Sequence, residues 1–153
     1  MLTGVRELYF AYGSNLSTRR LAERIPDPRP IAVAELDAHR LVFNKPSADG
    51  SGKANLVPKT GSVAWGVVWS IPAAAWATLD GFEPGYRRTP CRVRDGAGQW
   101  HYAQVYLWES SGAEQLPYAS YVGHLLEGAR EHGLPDAFIR FLAGVRTQPD
   151  PAD

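Results

Sequence analysis

Tyr9-Phe10-Ala11-Tyr12-Gly13-Ser14-Asn15-Leu16 is an apolar, aromatic strand that runs straight into a Gly-Ser-Asn turn and from there into a helix. Such a junction aims unpaired backbone N–H groups and the positive end of the helix dipole at one spot, where a carboxylate or a developing oxyanion can sit. Gly13 lets the chain turn sharply and approach a ligand closely. Ser17 is the expected N-cap, because Leu16 and Leu21 then stand at the two positions of a hydrophobic staple. The same turn is also compatible with a plain strand-to-helix connection, so its meaning depends on the rest of the chain.

Working outward, residues 8–12 read as the first strand and residues 18–24 as a helix that Pro26, Pro28 and Pro30 terminate. Residues 31–36 and 39–44 are β-rich and apolar, and 46–53 is an irregular loop of Gly, Ser, Asp and Ala. Strands are predicted at 55–58 and 64–71. The run 63–69 is apolar on both faces, as a central strand should be, and its Gly66 signals close backbone approach. Pro72 suits the first turn of a short helix over 73–79. Residues 88–94 and 101–108 form a hairpin across Asp95-Gly96-Ala97-Gly98, with Cys91 as a half-buried thiol in its first strand. After a break at Ser110-Ser111-Gly112, helical spacing returns in Tyr121, Leu125, Leu126 and Ala129 and stops at Gly133 before Pro135. A last helix spans 136–146. Strands outnumber helices and short loops join them, which predicts one α+β domain over 1–146 with a mainly antiparallel, strongly curved sheet, followed by a frayed tail over 147–153.

The chain has 153 residues, enough to bury a core without disulfides or metals, and a formal net charge of +0 with no basic block or acidic tail. Nothing favours nucleic acid or an anionic membrane as partner. A single cysteine and the lack of any apolar run of signal-peptide or membrane-spanning length predict a cytoplasmic protein. His39, His101, His124 and His132 are widely separated and lack the spacing of a metal site, so no metal is expected. Ser14 lacks the second glycine of a nucleophile elbow.

Tyr12-Gly13-Ser14-Asn15 after an apolar strand, Trp65-Gly66-Val67-Val68-Trp69, Leu79-Asp80-Gly81-Phe82-Glu83 and Glu131-His132-Gly133-Leu134-Pro135 occur in the order and spacing of similar motifs in the γ-glutamylcyclotransferases. The resemblance runs from about residue 8 to about residue 146. It implies a small mixed β-barrel flanked by helices, with the substrate cavity at one mouth. It also implies the chemistry: the α-amino group of a γ-glutamyl unit attacks its own γ-carbonyl, giving 5-oxoproline and a free amine or amino acid without a cofactor.

On this resemblance Glu83 is the general base and acid, its carboxyl raised by burial among Phe82, Tyr86 and the Trp65/Trp69 strand. An exposed acid in a turn is the plainer reading of Glu83 taken alone, and Asp80 is the more structural carboxylate. The turn of Tyr12, Gly13, Ser14 and Asn15 holds either the α-carboxylate or the γ-carbonyl oxygen, and Tyr86 and Tyr121 complete the substrate site. Pro84 and the closely following Tyr86 depart from the family pattern. The block from Leu79 to Glu83 with Tyr86-Arg87-Arg88-Thr89 looks like the branch acting on γ-glutamylamines, whereas both ends of the chain look like the branch acting on γ-glutamyl amino acids. Arg87 or Arg88 is the candidate for a leaving-group carboxylate, against a solvated strand edge. The rival from another class is a non-catalytic module that binds a small acid in the same cavity.

Overall fold

The computed structural model describes residues 4–109 and 112–152, so Ser110 and Ser111 of the expected break, and residues 1–3 and 153, lie outside it. Five strands, β1 (Arg6–Ala11), β2 (Arg29–Pro46), β3 (Gly52–Pro72), β4 (Arg87–Asp95) and β5 (Trp100–Leu107), close into a barrel in the order β1-β3-β2-β4-β5. All neighbours pair antiparallel except β1 with β5, whose parallel contact at Tyr9 and Gln104 completes the ring. Among the described residues the α-helices are α1 (Thr18–Arg24), α2 (Trp76–Phe82), α3 (Ala119–Glu131) and α4 (Asp136–Ala143). No helix among the described residues is long and apolar enough to cross a membrane.

The strand read as central is central, since β3 lies between β1 and β2. Its Val67, Val68, Trp69 and Ile71 are buried with Phe10, Leu79, Val93 and Val105. Gly66 is where β1 comes closest: a Cβ there would stand 2.4 Å from the Ala11 carbonyl oxygen. Boundaries differ from expectation in β2 and β3. Each was expected as two short strands, but the interruptions are bulges inside long ones, at Pro30/Ala32, Asp37/His39 and Val42/Lys45. At the second, Ala38 takes a positive φ of 57° and donates its N–H to the Asp37 carboxylate at 2.9 Å, so a short polar side chain stabilises the kink that sequence reads as a break. The expected loop 46–53 contracts to a turn, held by Ser47 N–H to Ser51 O at 3.0 Å and by Asp49, which accepts from the Ser51 N–H at 3.0 Å.

Ser17 caps α1 as anticipated, its hydroxyl accepting from the Arg20 N–H at 3.2 Å. The turn before it is a single 3-10 turn, Ser14–Leu16, rather than the start of the helix itself. A second 3-10 turn, Ala73–Ala75, shifts α2 onward so that Asp80 falls inside the helix and Glu83 becomes its C-cap residue. The helix α4 ends at Ala143, and Gly144 caps it. Residues 147–152, expected to fray, are tied to the start of α3: Gln148 bridges Tyr118, and the Asp150 carboxylate accepts from the Ser120 N–H at 3.1 Å.

The Glu131-His132-Gly133-Leu134-Pro135 segment ends α3 and grips α1. The Glu131 carboxylate accepts from the Thr18 N–H at 3.0 Å, and His132 bonds the Thr18 hydroxyl at 3.1 Å while meeting Trp69 edge-on. Within α3, Gly128 lies on the Leu16 backbone, and a Cβ added there would come within 2.2 Å of it. Gly128→Ala is therefore expected to cost about 3 kcal/mol in urea unfolding, the range for overpacking against backbone that cannot yield. Gly123→Ala on the exposed side of the same helix, where nothing lies within 4 Å, should instead gain about 0.5–1 kcal/mol from helix propensity.

Candidate active site

At one mouth of the barrel a cavity with about 330 Å³ of empty space is lined by Tyr9, Tyr12, Gly13, Ser14, Asn15, Ala54, Glu83, Tyr86, Tyr106 and Tyr121. All seven residues singled out from sequence, Glu83, Tyr12, Gly13, Ser14, Asn15, Tyr86 and Tyr121, are brought together here. Glu83 arrives at the C-terminal end of α2, and its side chain is only 17 % exposed. Burial pushes its carboxyl up to about 7, against the opposing pull of Arg24, Arg20 and Lys45. Asn15 Nδ2 donates to Glu83 Oε1 at 3.3 Å, and Arg24 Nη1 stands 3.6 Å from the same oxygen. Both contacts fall on Oε1, and Oε2 makes no hydrogen bond or ion pair among the described residues.

Tyr86 and Tyr121 are fixed by one peptide group. Between Val42 and Lys45, two residues of β2 stand opposite the single residue Ala54 of β3. Ala54 accordingly has no ladder partner, and its N–H donates to the Tyr121 hydroxyl at 3.0 Å while its carbonyl accepts from the Tyr86 hydroxyl at 2.7 Å. These bonds set opposite polarities. Tyr121, already accepting, keeps its O–H proton for a ligand, whereas Tyr86, already donating, keeps its lone pairs. The rest of the bulge is mended locally: Phe43 donates its N–H to Glu114 at 3.0 Å, and Asn55 Nδ2 donates to Asn44 and to the Trp108 carbonyl, both at 2.9 Å.

In the turn of residues 12–15 the first backbone bond runs from the Leu16 N–H to the Gly13 carbonyl at 3.0 Å, so the N–H groups of Ser14 and Asn15 have no partner within the turn. A Cβ built on Gly13 would stand 3.6 Å from both the Tyr121 hydroxyl oxygen and Ala54 Cβ, which puts Gly13 beside the donor that Tyr121 offers. Tyr12 reaches across to β5, donating to the Tyr106 carbonyl at 2.5 Å. Asn15 is buried, with Nδ2 also donating to the Tyr9 hydroxyl at 3.0 Å and Oδ1 accepting from Arg24 Nη1 at 3.3 Å. Tyr9, Tyr106 and Ala54 were not anticipated. Only the long-range pairing of β1, β3 and β5 brings them here.

Several expectations are corrected. Neither Trp65 nor Trp69 lines the cavity, whose walls around Glu83 are tyrosines; Phe82, half exposed, lies outside this inner cavity beside Glu83 in the wider opening, where the Arg24 guanidinium lies 4.8 Å from its ring centroid. Neither arginine proposed for the leaving group faces the site. Arg87 is exposed and pairs with Glu109 at 3.1 Å, and Arg88 stacks on Trp76 and stands 3.7 Å from Asp80. Asp80 is structural as expected, accepting from the Tyr106 hydroxyl at 2.7 Å. The cations that do face the site come from elsewhere. Arg20, Arg24, Lys45 and Lys53 line a wider vestibule, with about 600 Å³ of empty space, that shares Ser14, Glu83, Tyr86 and Tyr121 with the inner cavity. Cys91 is free, and burial pushes its thiol up to about 12. Among the described residues no three His, Cys, Asp or Glu side chains are grouped to hold a metal.

The raised Glu83 carboxyl makes stability depend on pH. The folded protein binds this proton more tightly than the unfolded chain does, so stability falls as pH rises from about 4.5 to about 7 and is level above that. Relative to Glu83→Gln, which does not titrate, wild type is expected to lose about 3 kcal/mol of unfolding free energy between pH 4 and pH 8. Paired denaturant titrations across that range check this.

Over residues 63–142 the sequence matches the AIG2-like family. The γ-glutamylcyclotransferase of Homo sapiens is 32% identical over 147 residues, which cover 90% of this chain and 78% of that protein. That of Bos taurus is 31% identical with the same coverage. A solved γ-glutamyl cyclotransferase superposes with a TM-score of 0.90 at 27% identity, over 97% of this chain and 93% of its own. Four ordered motifs, a closed mixed barrel with helices around it, and relatives alike over most of their length agree: this chain belongs to the γ-glutamylcyclotransferase family and is an enzyme of that class.

Proposed function

We propose that this protein closes the α-amino group of a γ-glutamyl amide onto its own γ-carbonyl carbon, releasing 5-oxoproline and the amine, with Glu83 as the proton shuttle. One observation carries this reading: a single carboxyl, raised to about 7, sits in a tyrosine-lined cavity beside a turn whose Ser14 and Asn15 N–H groups have no partner within the turn. Glu83 Oε2 takes a proton from the substrate's ammonium. The freed amine attacks the γ-carbonyl carbon, a C–N bond forms, and the carbonyl electron pair moves onto oxygen. As the oxyanion collapses the amide C–N bond breaks and the departing nitrogen receives the proton that Glu83 carries; Glu83 then takes the second proton from the ring nitrogen and passes it to the released amine, which leaves as an ammonium, so the carboxylate is restored. No water is consumed and no electron changes hands, so the reaction as written needs no cofactor.

A group with a pKa near the working pH both takes and gives a proton readily. Because nucleophile and electrophile share one molecule, fixing the folded rotamer supplies much of the acceleration. Tyr86, with lone pairs free, suits the ammonium, and Tyr121 with the N–H groups of Ser14 and Asn15 suits the anionic oxygen. An amino acid as leaving group would exit toward Arg20, Arg24, Lys45 and Lys53, whereas Arg87 and Arg88, the candidates weighed against a solvated strand edge, lie elsewhere. A cytoplasmic setting belongs to the same proposal and is supported by the free thiol of Cys91.

Following 5-oxoproline release from γ-glutamyl-alanine tests the reading directly. Glu83→Gln should stay folded and lose about two to four decades in kcat; retention of more than about a third of wild-type turnover would remove Glu83 from the shuttle role. Gly13→Val should fill the space next to Tyr121 and cut kcat/KM by at least about tenfold while leaving the unfolding midpoint nearly unchanged. A loss of stability matching the loss of activity would make Gly13 a folding residue only.

A further inference from the structure

The vestibule cations come as two like-charged pairs, each in an arrangement that is unfavourable on its own. Arg20 and Arg24 stand four residues apart on α1, where like charges repel. Lys45 and Lys53 are cross-strand partners in the β2–β3 ladder, directly opposite one another, and both face the same opening. Only two carboxylates answer these four charges within ion-pair distance among the described residues. Glu83 lies 3.6 Å from Arg24, and Asp49 lies 3.5 Å from Lys53. Arg20 Nε is buried with no hydrogen-bond acceptor. Lys45 Nζ donates to the Pro46 carbonyl at 3.1 Å and otherwise lies over the rings of Tyr86 and Trp108, 5.6 and 5.2 Å from their centroids.

Repulsion of this kind is relieved when an anion is shared between the two members of a pair. The burial of Arg20 and the nearness of Arg24 already hold the Arg20 guanidinium below its ordinary pKa, the direction that an incoming carboxylate reverses. A simple α-amino acid brings one carboxylate to the vestibule, which satisfies one pair and leaves the other facing solvent. We infer that the vestibule is a subsite for a leaving amine bearing two carboxylates, one for the Arg20/Arg24 pair and one for the Lys45/Lys53 pair, so that the preferred substrate is a γ-glutamyl-linked acidic amino acid. The inference rests on the ring-closing reading above and deepens it. The bonds are those already described: the ring C–N bond forms, the γ-amide C–N bond breaks, and the two protons lost by the substrate's ammonium end on the amino group of the released dicarboxylic acid.

Three substrates separate the charge states: γ-glutamyl-glutamate, γ-glutamyl-alanine and the uncharged γ-glutamyl-ethylamide. With the wild-type enzyme at low ionic strength, kcat/KM is expected to fall in that order by roughly tenfold at each step, the scale of one charge-assisted contact. Salt should compress the series. Lys45→Met and Lys53→Met should each lower the ratio of kcat/KM for γ-glutamyl-glutamate to that for the ethylamide by about tenfold, mainly through KM for the diacid. Equal turnover of the alanine and glutamate compounds, or an equal loss for all three substrates in both Met variants, would overturn the subsite. Absence of 5-oxoproline from all three with folded protein would instead sink the ring-closing reading. Calorimetric binding of γ-glutamyl-glutamate against the ethylamide would then decide the subsite alone, a tighter diacid supporting it and equal affinities refuting it.

Discussion

The candidate site depends on one peptide group that the barrel cannot use. Were β2 and β3 paired in regular register up to their turn, the N–H and carbonyl of Ala54 would be spent on the ladder. The extra residue in β2 removes them from it. Backbone polar groups in a protein interior must find partners, because leaving one unpaired costs about as much as a lost hydrogen bond. Here the partners are two hydroxyls brought from different elements, Tyr86 from the segment after α2 and Tyr121 from α3. Satisfying one peptide therefore fixes two side chains of the cavity in defined donor and acceptor states, and an irregularity in the ladder becomes the organiser of the mouth. The segment 114–116 closes the far side of the same bulge, with the Gln115 N–H on the Phe43 carbonyl at 3.0 Å and the Gly52 N–H on the Leu116 carbonyl at 3.2 Å. A Cβ at Gly52 would stand 2.2 Å from the Gln115 carbonyl oxygen, so the closure is tight.

Around Glu83 two large effects oppose each other. Burial raises the carboxyl, and three cations lower it. With burial alone the group would stay protonated and serve only as an acid; with a full ion pair it would stay charged and serve only as a weak base. Asn15 helps to hold the balance, because its amide spans Tyr9, Glu83 and Arg24 and keeps the guanidinium shared between Asn15 Oδ1 and the carboxylate. The tyrosines around the cavity add to this. Their hydroxyls are themselves raised by burial and by the nearness of Glu83, so they remain neutral donors and acceptors while the carboxyl changes state.

Local chemistry explains which parts were legible in the sequence. The Ser17 cap, the Asp95–Gly98 turn and the central position of the 63–69 strand follow from side chains within a few residues, so they could be read in order along the chain. The bulges could not, because Ala38 and Ala54 carry no mark of a kink; the causes lie in Asp37 beside one and in residues 42–45 across the ladder from the other. The seven proposed site residues were found through motifs rather than through periodicity, and they do converge. Their surroundings were misjudged for a physical reason. Trp65 and Trp69 are the obvious apolar bulk in sequence, yet neither lines the cavity, which is walled by tyrosines whose approach depends on barrel closure. Arg87 and Arg88, near Glu83 in sequence, are carried off by β4, while Arg20, Arg24, Lys45 and Lys53 are far from it in sequence and near it in space.

The Glu-His-Gly-Leu-Pro segment shows how a motif distant from the cavity can bear on the acid. Among the described residues no hydrogen bond, ion pair or ring contact joins it to the cavity. Its Glu131 carboxylate takes the first N–H of α1, and His132, packed edge-on against Trp69 in the barrel wall, bonds the Thr18 hydroxyl. Arg19 adds a paired contact to Glu127 at 3.1 Å. A seven-residue helix has little stability of its own, since nucleation costs more than so few hydrogen bonds return. What fixes its direction is therefore this grip together with the Ser17 cap. Arg20 and Arg24 project from that short helix, and Arg24 is the largest influence holding the Glu83 carboxyl down against burial. The C-terminal motif thus acts on Glu83 through the placement of two charges, and a helix too short to stand alone becomes a rigid carrier for them because α3 holds its first turn.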